Sequence, residues 1–480
     1  MIVQKIRHWA KHTPDATAIE AWGHPISYRL FFQLIQSTRR FLEAQGLQPN
    51  MGCALWAGDI LDQWVISLAA RSLGISVIAM PSGELKTLET VKGVTALLLP
   101  QADYARIASQ YLPTHIRRIM IPTAIYSAPI LEQTDLELPA MPAGDHFCLS
   151  SGSTGHSKLI RFKGKEEIEL AAMCREGCER DNKKVSVHDF PIYGTVAYKW
   201  GISSFHHGKT IVIDQSKNFL ENLLKPEEKI GILYPHHIKN IFEQITEPCI
   251  RPDLTILWVG GHLPFHYIER LKKMLGMKAV NAIGASELAT LLTYTHVNSV
   301  EDLIWNKLTR SRKIEIVNDQ HKPLPPGIEG RLRVRLERLD IREYEGDAKA
   351  TSAAFYDGYF YTGDLSVMGT DGRLKLTGRT SDTLSIGGKQ MSTAWLEDKL
   401  TAQAGKNVYV FSSVGKNNQS ELHVIVESQQ APSLSEQEAL KAIIPETDAV
   451  HFHNLDQFPL NTGGKTDRVT IRKTILGASE

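Results

Sequence analysis

Leu149-Ser-Ser-Gly-Ser-Thr-Gly-His-Ser-Lys158 is the most informative stretch of this 480-residue chain. Glycines and small hydroxyl side chains let backbone N–H groups approach a polyphosphate closely, and the closing lysine adds charge, so the stretch reads as a phosphate loop. It is not of the Walker type, G-x-x-x-x-G-K-[ST], because Gly155 stands three residues before Lys158 and no Ser or Thr follows the lysine. Alone, a Ser/Gly/Thr run is more often a solvated loop. Its meaning depends on what surrounds it.

Upstream, Tyr28, Phe31, Ile35 and Leu42 recur at roughly helical spacing between a capping Ser27 and Gly46. Leu61, Trp64, Val65, Leu68 and Ala69 repeat the pattern up to Gly74. Ile75 to Met80, Ala96 to Leu99 and Arg118 to Ile121 read as short buried strands. Downstream, strand-like Thr210 to Ile213, Ile230 to Leu233 and Thr255 to Val259 alternate with helical segments such as Phe265 to Leu275. The alternation indicates an α/β architecture with substantial parallel sheet. From Arg331 the chain becomes richer in strand-like segments joined by Gly-containing turns, and after Gly378 the pattern resets: a Gly-rich turn at Gly387 and Gly388, a helix near 393–403, strands at 407–412 and 422–426, and a helix with a capping box of Ser435 and Glu438. A domain boundary is therefore expected near 378–382.

The charge balance, 54 Lys plus Arg against 53 Asp plus Glu for a formal +1, lacks the basic excess of a nucleic-acid binder. The longest apolar stretch, Val65 to Met80, is interrupted by Ser67, Arg71, Ser72 and Ser76, short of the ~18 residues that span a bilayer. No secretory signal is visible at the N-terminus, and five cysteines are too few and odd in number for a disulfide framework, so a cytoplasmic protein without nucleic acid or membrane as partner is expected.

Four further segments change the weight of the loop: Asn281-Ala-Ile-Gly-Ala-Ser-Glu287, Tyr361-Thr-Gly-Asp364, Gly378-Arg379, and Pro459-Leu-Asn-Thr-Gly-Gly-Lys465-Thr-Asp-Arg468. Singly, Glu287 reads as a helix-start carboxylate, Asp364 as a turn former, and Arg379 and Lys465 as solvated charges. In this order, from about residue 10 to 475, they resemble the core motifs of the acyl-adenylate-forming superfamily: acyl- and aryl-CoA synthetases, peptide-synthetase adenylation domains and luciferases. The resemblance implies an α/β fold with a large N-terminal domain, residues 1–379, of mixed, largely parallel sheets layered with helices. A small mobile α+β C-terminal domain, 380–480, would carry the catalytic lysine.

Carried over position by position, the resemblance gives Ser150, Ser151, Gly152, Ser153, Thr154, Gly155 and Lys158 to the β- and γ-phosphates of ATP. Asn281, with Ile283 and Gly284, would meet adenine; Glu287 would hold Mg²⁺, with Ser286 on the α-phosphate. Asp364 would accept the ribose hydroxyls beside Arg379, and Lys465 would bridge the substrate carboxylate and the α-phosphate. These residue types suit the chemistry. A carboxylate attacking an anionic α-phosphorus needs positive charge and oriented donors, and one ionised Asp can accept from two adjacent hydroxyls. The chain departs from the family pattern at three places: Ile283 stands where an aromatic usually stacks on the base, Ser157 where Pro precedes the loop lysine, and Ser381-Asp382 where two acidic residues often mark the hinge at 380–382.

Substrate clues lie in Asp189-Phe-Pro-Ile-Tyr-Gly-Thr-Val-Ala-Tyr-Lys-Trp-Gly201. The position of the amine-binding Asp of amino-acid-activating relatives falls on Thr195, which disfavours an α-amino acid because an unpaired buried ammonium is costly. The His of many CoA-ligase relatives is Gly194. Tyr193, Tyr198, Trp200, Tyr234, His236 and His237 could line an aromatic pocket or simply fill the core; Gly260 and Gly261 join Tyr193, Gly194, Thr195 and Tyr198 as substrate-side positions. Gly387 and Gly388 resemble the loop that admits a pantetheine arm. The expected partners are a small carboxylic acid and either CoA or a separate carrier protein. The alternatives are transfer to a non-thiol nucleophile, or a degenerate member that binds an adenylate without turnover. Cys174 and Cys178 could bind metal on spacing but lack a second pair, so no metal besides Mg²⁺ is expected.

Overall fold

The structure, a computed structural model, describes the chain apart from residues 22, 82–84, 86–87, 89–90, 92, 108–111, 128–141, 151–157, 175–183, 188–189, 214–218, 262, 310–311, 381–382, 387–388, 415–419, 445–448, 461–465 and 478–480. The described residues form two compact units: residues 1–152, 156–299 and 337–351 in one, residues 300–336 and 352–480 in the other.

The first unit is built on two sheets. An eight-stranded sheet runs in the order Thr293–His296, Lys278–Ile283, Leu254–Trp258, Lys229–Leu233, Lys184–Val187, Ile211–Ile213, Thr17–Ala21, His24–Ser27. Its interior pairs are parallel and its two outermost pairs antiparallel. A six-stranded sheet runs Arg117–Ile121, Val94–Pro100, Gly52–Leu55, Ser76–Ala79, His146–Ser150, Lys158–Phe162, parallel except for the last pair. Interior strands Leu254–Trp258 and Lys229–Leu233 are buried at every residue and, but for Lys229 and Thr255, carry no polar side chain. That is what a parallel sheet covered on both sides requires.

Helices Ile2–His12, Tyr28–Ala44, Ile60–Ser72 and Thr195–His206 pack on one another between these sheets. Tyr28–Ala44 lies against Thr17–Ala21 of the larger sheet, and Ile60–Ser72 against Gly52–Leu55 and Ser76–Ala79 of the smaller. Ser27 caps the second helix by accepting from Leu30 N–H, and Asp59 caps the third by accepting from Leu61 N–H. Phe205 joins the layer, its ring 5.1 Å from Phe31 and edge-on to Trp64 at 5.2 Å.

The second unit holds a five-stranded sheet of Ile314–Val317, Glu329–Arg335, Tyr359–Met368, Phe355–Tyr356 and Leu374–Arg379. It also holds the hairpin Thr383–Ile386 and Lys389–Ser392 and a three-stranded sheet Val408–Val414, Ser420–Glu427, Ala449–Leu455. Leu396 and Leu400 of helix Thr393–Ala404 and Leu440 of helix Leu434–Lys441 share a core with Val410, Leu422 and Val424 of the three-stranded sheet. The expected capping box of that last helix shifts by two residues. Ser433, not Ser435, accepts from Glu436 N–H, and Glu436 Oε2 accepts from Ser433 N–H at 2.7 Å, because the helix starts at Leu434. Both candidate pairs have the Ser-x-x-Glu form, and Pro432 just ahead of Ser433 marks where the helix begins.

Helix Thr195–His206 tolerates a glycine in its middle because a side chain there would collide with the core. A Cβ on Gly201 would lie 2.1 Å from Trp64 Cζ2 and 2.5 Å from Cη2. Alanine gains about 1 kcal/mol of helix propensity over glycine. Overpacking against a buried ring costs roughly 1–3 kcal/mol, which outweighs it. Gly201→Ala is therefore expected to lower the chemical-denaturation midpoint; an unchanged or raised midpoint would mean that Trp64 moves freely.

Candidate active site

In an α/β sheet, ligands gather at the carboxyl ends of the parallel strands. Four successive strands of the eight-stranded sheet lead there into the segments singled out by sequence. Lys184–Val187 precedes Phe190 to Thr195; Lys229–Leu233 runs into Tyr234; Leu254–Trp258 leads to Gly260 and Gly261; and Lys278–Ile283 carries Asn281 and Ile283 into Gly284, Ser286 and Glu287. Phe190 and Tyr234 meet edge-on with ring centroids 4.4 Å apart, and His237 lies 5.7 Å from Phe190. Gly260 has φ +83°, a left-handed conformation that favours glycine, and a Cβ on Gly261 would press on Pro235 Cγ at 3.2 Å.

The turn after Asn281 is fastened at almost every polar group. Ile283 N–H donates to Thr293 Oγ1 at 3.1 Å, and Ile283 C=O accepts from Leu292 N–H at 2.8 Å. Glu287 C=O accepts from Ile341 N–H at 3.1 Å, and Ala289 N–H donates to Asp340 Oδ1 at 2.8 Å. The half-buried Glu287 carboxylate is gripped directly: Tyr344 Oη donates to its Oε1 at 2.6 Å. Burial and the adjoining carboxylate push the Tyr344 phenol far above its ordinary range, so it remains a donor at any physiological pH.

Lys158 reaches the same place from the six-stranded sheet. Its Nζ lies 4.6 Å from the centre of the Tyr344 ring, and its N–H donates to the buried Ser150 Oγ at 3.3 Å. Ser151, Gly152, Ser153, Thr154 and Gly155 lie outside the described residues, but both strands that flank them end at this edge. A hard divalent cation such as Mg²⁺ takes one or two carboxylates and completes its shell with phosphate and water. A single oriented Glu287 matches the carboxylate share of such a shell.

Thr195 N-terminally opens helix Thr195–His206, and its hydroxyl shares a 2.9 Å hydrogen bond with the Ser286 hydroxyl. Tyr198 is spent elsewhere. It is fully buried, its ring stacked on His146 with centroids 3.9 Å apart, and its hydroxyl donates to Glu167 at 3.3 Å. Trp200, at 8 % exposure, also belongs to the core. Tyr193 C=O accepts from Leu149 N–H, tying the segment before Gly194 to strand His146–Ser150.

In the second unit, Asp364 and Arg379 are register partners on adjacent strands and form an ion pair, Nε to Oδ1, of 2.8 Å. Within the strand, Gly363 has φ +79°, and Asp364 N–H donates to Thr362 Oγ1 at 3.1 Å. Gly387, Gly388 and Lys465 lie outside the described residues.

Tyr344 was not legible as a site residue, since nothing around Ile341-Arg-Glu-Tyr344 distinguishes it locally. Lys199 had one available signal: a lone charge in the otherwise uncharged helical run Thr195–His206.

A family model described as AMP-binding enzyme matches residues 6–339. The 2,3-dihydroxybenzoate-AMP ligase of Bacillus subtilis (strain 168) is 24% identical over 525 residues, covering 98% of this chain and 93% of its own. Among solved structures, o-succinylbenzoate coenzyme A synthetase from Bacillus subtilis in complex with ATP and magnesium ion superposes with a TM-score of 0.80 at 17% identity, covering 98% of this chain and 99% of that one. The amide bond synthetase from Marinactinospora thermotolerans gives a TM-score of 0.77 at 17% identity, covering 99% and 100%.

The Tyr344–Glu287 contact can be tested without any substrate. A hydrogen bond to a charged group contributes about 1.5–3 kcal/mol, so Tyr344→Phe and Glu287→Ala are expected to be non-additive in a double-mutant cycle on unfolding midpoints. Simple additivity would show that the two groups do not interact.

Proposed function

The chain belongs to the family of AMP-binding enzymes, and on that premise we propose that it activates a carboxylic acid with ATP. The acid becomes an acyl-adenylate with release of pyrophosphate, and the acyl group then passes to a thiol, either CoA or the phosphopantetheine of a separate carrier protein. The observation that carries this reading is the convergence of Glu287, Ser286 and Asn281 with Lys158 at the carboxyl ends of the strands, Tyr344 standing between Glu287 and the lysine.

In this reading Glu287 holds Mg²⁺, which when bound neutralises phosphate charge. Asn281 meets the adenine amino group, the Ser150 to Lys158 loop follows the β- and γ-phosphates, and Asp364 accepts the ribose hydroxyls with Arg379 beside it. Lys465, from the proposed C-terminal domain 380–480, places an ammonium between the attacking carboxylate and the α-phosphate. That is where like-charge repulsion must be overcome. Gly387 and Gly388 are proposed to let the pantetheine arm pass.

The acid is proposed to be an aryl or other non-amino acid. Thr195 supplies no carboxylate for an α-ammonium, and its hydroxyl is engaged with Ser286. Half-buried Tyr234, backed by the core ring of Phe190, offers an aromatic face at the end of strand Lys229–Leu233, and the dihydroxybenzoate activity in the name of the Bacillus relative points the same way.

A pyrophosphate-release screen over aryl, fatty, short-chain and amino acids tests the first step. Release is expected with an aryl or acyl acid and not with α-amino acids; no release with any acid would overturn the reading. Lys465→Ala is expected to slow adenylation by roughly 10²–10³-fold, the scale of losing one preorganised charge partner. Adding CoA, a phosphopantetheinylated carrier or an amine to the loaded enzyme then identifies the acceptor, and transfer only to the amine would refute the thiol.

A further inference from the structure

Lys199 lies in the first half of helix Thr195–His206, 8 % exposed, where an apolar residue would be the less costly occupant. Taking an ammonium out of water costs several kcal/mol unless its donors are satisfied. Here two of its three donors are taken by one short stretch of backbone: Nζ donates to Ser286 C=O at 3.0 Å and to Leu288 C=O at 2.6 Å. Those are the carbonyls on either side of Glu287, whose own carbonyl is held by Ile341 N–H. Four residues earlier on the same helix, Thr195 meets the Ser286 side chain, so one face of the helix touches the turn at two heights. Burial pulls the Lys199 ammonium below its ordinary range, while surrounding negative charge, including Glu287 and Asp340, draws it back up.

We infer that Lys199 is a positioning residue for the metal-binding carboxylate: its ammonium clamps the carbonyls of Ser286 and Leu288 and so fixes the backbone from which Glu287 is presented. The inference rests on the reading of Glu287 as the Mg²⁺ ligand. A buried cation near Glu287 also opposes a second cation, so two effects of opposite sign meet at this residue. The bonds of Nζ decide between them. They go to neutral carbonyls and not to the carboxylate, so the contact that the geometry supplies is an orienting one.

The test is calorimetric titration of the full chain with ATP, once with Mg²⁺ and once with EDTA. The quantity read is the ratio of the two affinities, which a residue serving only the fold would not change. Outer partners of a metal ligand typically contribute roughly 10- to 100-fold to metal affinity, and a loss of that order in the Mg²⁺-dependent gain is expected for Lys199→Met, with EDTA-state affinity nearly unchanged. Lys199→Gln, which keeps neutral N–H donors, is expected to fall between Met and the native protein, and it carries the test if the Met variant does not fold. A Mg²⁺-dependent gain equal to or above the native one in either variant would overturn the inference. Glu287→Gln runs alongside: loss of the gain there with a native gain in Lys199→Met refutes only the clamp, whereas a native gain in Glu287→Gln refutes the assignment of the metal carboxylate itself.

Discussion

The helical layer of the first unit depends on one buried ion pair. Arg71 and Glu167 meet at 2.7 Å with both side chains almost wholly out of solvent. Such a pair is tolerated only when the remaining donors and acceptors are also satisfied. Several of them are: Arg71 Nε donates to Gly144 C=O at 2.9 Å, Glu167 Oε2 accepts from Ile2 N–H at 2.7 Å, and Tyr198 donates to Oε1. The pair therefore ties helices Ile60–Ser72, Glu167–Met173, Ile2–His12 and Thr195–His206 to a single point. Removing one partner would strand the other charge, at a cost of roughly 3–5 kcal/mol.

That point fixes the pose of helix Thr195–His206, and the helix divides its side chains between two tasks. Tyr198 faces the ion pair, while Thr195 and Lys199 face the turn that carries Ser286 and Glu287. Trp64 packs directly against Gly201 of the same helix. Core packing is thus carried through one rigid element to the carboxyl edge of the eight-stranded sheet.

Much of this was legible from local pattern. The helix from Ser27 and the helix Phe265–Leu275 begin and end where capping and periodicity place them, because those signals lie within one turn of the residues they govern. The carboxylate after the Asn281 turn stands out by its neighbours in sequence. What holds that carboxylate did not: Tyr344 is 57 residues away and Lys199 is 87 residues from the Ser286 carbonyl it binds. Tyr198 shows the same limit. Its aromatic neighbours suggest a pocket wall, and only the distant Arg71 and Glu167 reveal a core role. At Ser433 and Ser435 two equivalent local signals compete, and the helix takes the one directly after proline.

The Asp364–Arg379 pair bears on how the chain continues. Arg379 is the last residue of its strand, and Thr380 just beyond is tied back by its N–H to Gly363 C=O at 2.8 Å. Any sugar hydroxyl that claims Asp364 must divide the carboxylate with the guanidinium at this strand end. The exit of the polypeptide toward its last hundred residues is therefore anchored beside the same carboxylate that the proposed function assigns to the ribose.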